Sequence, residues 1–110
     1  MIERRTDQRI NADLKVVLST PGGFWSRSSM VARSVDVSTY GIGLALDNPI
    51  ETSGPVSLKI YGPSLKEPVD ADGTVVWQGK SARGPYRAGL QFTDVGWSRI
   101  KGLINSLSRQ

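Results

Sequence analysis

The chain has 110 residues, 38% of them apolar, and a net charge of +4, which suits one domain with a modest core and not two. It has no cysteine and no histidine, so disulfides, thiolate chemistry and the commonest general base and zinc ligand are excluded together, and an enzymatic reading lacks its usual side chains. The longest apolar runs, Gly41 to Leu46 and Val75 to Trp77, fall far short of the roughly 20 residues that cross a bilayer, and Met1-Ile2-Glu3-Arg4-Arg5 is not followed by the apolar stretch of a secretory signal. A cytoplasmic protein without a membrane span is expected.

Leu14 to Thr20 is rich in apolar and β-branched residues and ends at Pro21-Gly22-Gly23, which predicts a first strand closed by a turn. Met30 to Val37 alternates loosely, and Ile42 to Leu46 follows after a short polar link ending at Gly41, so two strands with a tight connection are expected. Val56-Ser57-Leu58-Lys59-Ile60-Tyr61 alternates with period two before Gly62-Pro63. From Val69 to Gln78, alternate positions hold Val69, Ala71, Gly73, Val75 and Trp77, with Asp70, Asp72 and Thr74 between them. Tyr86, Ala88, Leu90 and Phe92 mark one face of a sixth strand. Six short strands with Gly- and Pro-rich links predict a small barrel or sandwich. Trp97, Ile100, Leu103, Ile104 and Leu107 then recur at helical spacing, behind a helix start suited to Asp94 and Gly96. Gly102 weakens that helix by about 1 kcal/mol relative to alanine, so tertiary packing must hold it.

Arg4, Arg5 and Arg9 crowd into the first nine residues. A guanidinium fork bonds two acceptors at once and suits phosphate oxygens and purine edges, so an anionic partner, a nucleotide above a simple anion, is expected. The plain alternative is a solvated basic tail. Arg5-Thr6-Asp7-Gln8-Arg9 sets two arginines four apart with Arg4 directly before them, in an arm able to fold over a ligand. Asp36-Val37-Ser38-Thr39-Tyr40-Gly41 lies at a strand end, where period two places Asp36 and Ser38 on one face. A carboxylate at 36 matches the paired donors of guanine N1 and its exocyclic amine. Ser38 both donates and accepts, and Gly41 lets the backbone turn and approach a ligand without a Cβ. Each stretch alone is ambiguous, because Asp and Ser in such a turn more often bond nearby backbone.

Together and in this order, the two stretches resemble the signature motifs of the PilZ family of bacterial cyclic di-GMP receptors. The likeness covers nearly the whole chain, since Trp77 and Gly89-Leu90-Gln91-Phe92 resemble the tryptophan and Gly-x-x-Phe pair of that family's later strands. The resemblance implies a mostly β fold, a six-stranded antiparallel PilZ-like β-barrel with a C-terminal α-helix, and a receptor with no catalytic residue, no metal and no cofactor. One domain would then comprise an arginine-rich arm over residues 1–13, a barrel over 14–95 and a helix over 96–110. Arg5 and Arg9 are assigned by the resemblance to guanine edges and phosphates of cyclic di-GMP, and Asp36, Ser38 and Gly41 to a guanine on the barrel surface. Arg4, just before the first motif, implies an intercalated pair of ligand molecules. Trp77 is read either as flanking a guanine or as core. Ligand would draw a mobile arm onto the barrel and pass the signal to an unidentified protein partner. The C-terminal helix, the arm or the Phe24-Trp25 pair would supply that contact.

Three other readings compete. A small nucleic-acid-binding barrel needs aromatics on one exposed sheet face, whereas Tyr86 and Phe92 fall on an apolar one, so no nucleic acid is expected. A phosphodiesterase would rest on Asp70 and Asp72 as metal ligands, and an outward strand face is the simpler account of that pair. A PilZ-like adaptor without ligand binding is disfavoured by the intact motif residues.

Overall fold

The computed structural model describes residues 9–20, 28–50, 55–62, 65–81 and 85–108. Its elements are β1 (Ile10–Asn11), β2 (Lys15–Thr20), β3 (Ser28–Val37), β4 (Gly41–Leu46), β5 (Val56–Tyr61), β6 (Val69–Lys80), β7 (Tyr86–Val95) and α1 (Trp97–Ser108). All strand pairings are antiparallel, in the order β1-β3-β2-β5-β6-β7-β4, and β3 also pairs with β4. That last pairing closes β2 to β7 into a six-stranded barrel, with β1 as an additional two-residue strand against the end of β3. The architecture is the six-stranded barrel and C-terminal helix expected from the sequence. Arg4, Arg5, Phe24 and Trp25 lie outside the described residues.

Alternation explains the interior. In β5, Val56, Leu58 and Ile60 are buried while Ser57, Lys59 and Tyr61 face out, and Val16, Leu18, Ile42, Leu44, Leu46 and Leu90 complete the barrel core from other strands. Each such side chain contributes about 1.5–3 kcal/mol when fully buried. Tyr86 and Phe92 are half-buried against this core. The helix buries Ile100, Leu103 and Ile104, with Leu103 lying against Gly62 at the end of β5. Ile100 N–H donates to the Gly96 carbonyl at 2.9 Å, and Arg99 donates to the carbonyls of Glu67 and Pro68 at 3.1 and 2.9 Å. Among the described residues no helix is long and apolar enough to cross a membrane.

Asp70 and Asp72 both face outward on β6. Asp70 accepts from Lys59 Nζ at 2.8 Å and Asp72 from Ser57 Oγ at 3.2 Å, and among the described residues no cluster of acidic side chains is arranged to hold a metal.

The regular pleat is interrupted where it matters for the site. The β3–β4 register shifts between Ser34 and Asp36, and the β6–β7 register shifts between Val75 and Trp77. An inserted residue turns everything beyond it onto the opposite face of the sheet. Ser34 is buried, with its Oγ accepting from Leu14 N–H at 2.9 Å and donating to the Ala12 carbonyl, so uninterrupted alternation would point the side chain of Asp36 inward as well, and the bulge at Val35 turns it out. Val76 does the same for Trp77. The alternation from Val69 to Val75 predicts an inward indole; instead Trp77 is 55% exposed.

Candidate functional site

The two bulges aim Asp36 and Trp77 at one place. Asp36 pairs with Gly43, Gly43 with Gly89, and Gly89 with Trp77, in one row across β3, β4, β7 and β6. A carboxylate stands at one end of this row, an indole at the other, and the floor between them is glycine. Both side chains lean inward over that floor. A Cβ built on Gly43 would lie 2.7 Å from Asp36 Oδ1, and one built on Gly89 would collide with the Trp77 indole nitrogen. The open cleft over this row has a volume of about 440 Å³, within the usual range for small-molecule sites.

Arg9 reaches the cleft because β1 pairs with the end of β3, setting Asn11 opposite Asp36. Two residues earlier, Arg9 is a diagonal neighbour of Asp36, and its Nη1 donates to Asp36 Oδ1 at 2.9 Å. The bulge assists this placement, since the Val35 carbonyl accepts from Ala12 N–H at 3.1 Å. Both partners are solvent-accessible, Asp36 at 26% of its side chain, so a competing ligand can exchange with the pair.

Ser38 and Gly41 act differently from a pair of exposed contact residues. The strand ends at Val37, the alternation does not continue to Ser38, and the two motif positions 36 and 38 do not share a face. Ser38 is buried. Its Oγ accepts from the backbone N–H groups of Tyr40 and Gly41 at 3.1 and 3.3 Å, and its own N–H donates to the Gly41 carbonyl at 2.9 Å. This closes the turn that delivers Asp36 on one side and β4 on the other. Gly41 lines the cleft, but the space its missing Cβ leaves is filled by the Leu90 carbonyl of β7. Tyr40, at the tip of the turn, meets Trp97 of α1 edge-to-face, with centroids 6.1 Å apart and planes at 77°.

Of the residues singled out from the sequence, Arg9, Asp36, Gly41 and Trp77 therefore converge on one cleft, with Ser38 directly behind it. The fold adds Gly43, Val76, Arg87, Gly89 and Gln91. In the sequence Gly89 and Gln91 stand only within the Gly-x-x-Phe resemblance, with no ligand role attached, and Gly43, Val76 and Arg87 read as ordinary strand positions. A further signal is the alternation of Tyr86, Ala88 and Leu90, which leaves Arg87, Gly89 and Gln91 for the outer face. One row beyond, Arg33 donates to Asp13 Oδ1 at 2.7 Å; this hydrogen bond holds the Asp13 carboxyl below its ordinary value.

The PilZ domain family matches residues 3–106 of the sequence. No curated protein sequence matches the chain. Among solved structures, the inhibitor of motility MotI/DgrA of Bacillus subtilis superposes with a TM-score of 0.77 at 19% identity, over 98% of this chain and 51% of that one. The PilZ domain of YcgR from Escherichia coli, solved with c-di-GMP, gives 0.69 at 19% identity over 97% and 93% of the two chains. The MrkH–c-di-GMP complex of K. pneumonia gives 0.64 at 14% identity over 96% and 52%. The chain thus spans about half the length of MotI and MrkH and nearly all of the isolated YcgR domain, and at these identities the likeness establishes the fold. With a family match over almost its full length and the same closed barrel, the chain belongs to the PilZ domain family.

Proposed function

We propose that this domain is a receptor for cyclic di-GMP. The observation that carries the reading is the row Asp36–Gly43–Gly89–Trp77 with Arg9 seated on Asp36. A flat purine fits over a floor without side chains. A carboxylate at one end accepts from guanine N1 and the exocyclic amine, a pair of donors that adenine lacks. An indole at the other end supplies a stacking face. The c-di-GMP-bound YcgR domain and MrkH, which share this fold, support the choice of ligand.

Binding proceeds in this reading by exchange. Guanine takes over the Asp36 carboxylate, and the Arg9 guanidinium turns to a phosphate or a guanine edge, replacing one charge-assisted hydrogen bond by others. Arg5 joins Arg9 on the ligand, Arg4 supports a second, intercalated ligand molecule, and Ser38 and Gly41 shape the guanine pocket from behind. The arm orders over the ligand and creates a new surface for a protein partner. The domain works by binding and not by catalysis.

Calorimetric titration with cyclic di-GMP tests this, alongside Arg5→Ala and Asp36→Ala variants checked for folding. Saturable binding near two ligands per chain, lost in both variants, supports the receptor and the ligand pair. Binding near one retains the receptor and removes the role of Arg4. Absence of binding by calorimetry and a second method overturns the proposal and leaves an adaptor barrel.

A further inference from the structure

Among the described residues, three charged side chains line the cleft: Arg9, Asp36 and Arg87. The first two neutralise each other at 2.9 Å, so among the described residues Arg87 sets the sign of the cleft. Its position is defined by the ladder. Arg87 lies two residues from Gly89 on the same outward face of β7, about 7 Å along the strand, and its cross-strand partners are Ala45 and Gly79. Neither presents a bulky side chain to block it. The row on the other flank of Gly43 and Gly89 consists of Gly41, Gln91 and Thr74 and carries no charge. A ligand lying over the glycine floor therefore has one cationic flank and one neutral flank.

The other described arginines are engaged: Arg9 with Asp36, Arg33 with Asp13, and Arg99 with the Glu67 and Pro68 carbonyls. Arg87 is exposed and has no ion-pair partner among the described residues. We infer that Arg87 is a phosphate-binding residue, which takes a phosphodiester of the ligand whose base lies between Asp36 and Trp77. The inference rests on the receptor reading and extends it to a residue outside both arginine-arm and turn motifs. A guanidinium here bonds two phosphate oxygens at once, and it draws the anionic backbone of a cyclic dinucleotide toward β7 and away from the Tyr40 turn.

The test is titration of cyclic di-GMP into the wild-type chain and the Arg87→Gln and Arg87→Lys variants, at low and at moderate salt, with thermal unfolding as the control for folding. The expected result is a loss of about tenfold or more for Gln, an intermediate loss for Lys, and weaker salt dependence for Gln than for wild type. Unfolding temperatures close to wild type are expected, because the side chain is exposed. Wild-type binding with less than about a tenfold loss in Arg87→Gln overturns the assignment of Arg87 alone. Absence of binding by the wild-type chain overturns the receptor reading, and this inference with it.

Discussion

The indole of Trp77 lies directly over Gly89, its partner across the β6–β7 ladder. No side chain larger than hydrogen fits at 89 without moving the tryptophan. The obstructing atoms belong to the five-membered ring of an exposed indole, which can rotate away from the strand because no core packing holds it. Gly89→Ala is therefore expected to leave the unfolding free energy within about 1 kcal/mol of wild type while weakening cyclic di-GMP several-fold. Calorimetry paired with thermal unfolding checks this; an unchanged affinity would show that Trp77 does not wall the ligand.

Asp36→Asn separates charge from shape. The Arg9–Asp36 pair is substantially exposed, and such pairs contribute about 0–1 kcal/mol, so little stability should be lost. Affinity for cyclic di-GMP should fall at least tenfold, because an amide presents a donor where guanine also offers donors. Titration with cyclic di-AMP provides the contrast. If both dinucleotides bind wild type equally, Asp36 is not the guanine reader.

Ser38→Ala should behave in the opposite manner. Its hydroxyl serves two backbone N–H groups in a buried turn, and leaving such donors unsatisfied costs about 1–3 kcal/mol. Denaturant unfolding should show that loss of stability. Any fall in affinity should be accompanied by it, since Ser38 acts by holding the turn.

Gly102 lies on the exposed side of α1, and a Cβ there would meet open space. Gly102→Ala should stabilise by about 0.5–1 kcal/mol and raise the unfolding temperature by a few degrees, with ligand affinity unchanged. Scanning calorimetry with and without cyclic di-GMP reads both.

The fold was largely legible because its signals are local. Val56 to Tyr61 alternates with period two, Trp97 to Leu107 recurs with period three to four, and Gly and Pro punctuate the intervals, so strand, helix and turn each left a pattern within a few residues. Arg9, Asp36, Ser38 and Gly41 were legible through the spacing of two short motifs. What the chain could not display was the effect of a single inserted residue. Periodicity run through Val69 to Trp77 put the tryptophan inside, and run from Asp36 to Ser38 it put both residues on one face. The bulges at Val76 and Val35 and the strand end at Val37 decided otherwise. A register shift depends on hydrogen bonds to a partner strand that is distant in sequence, and the chain alone does not name the partner. For the same reason, the row from Asp36 through Gly43 and Gly89 to Trp77, and the place of Arg87 beside it, exist only once β4 and β7 are paired.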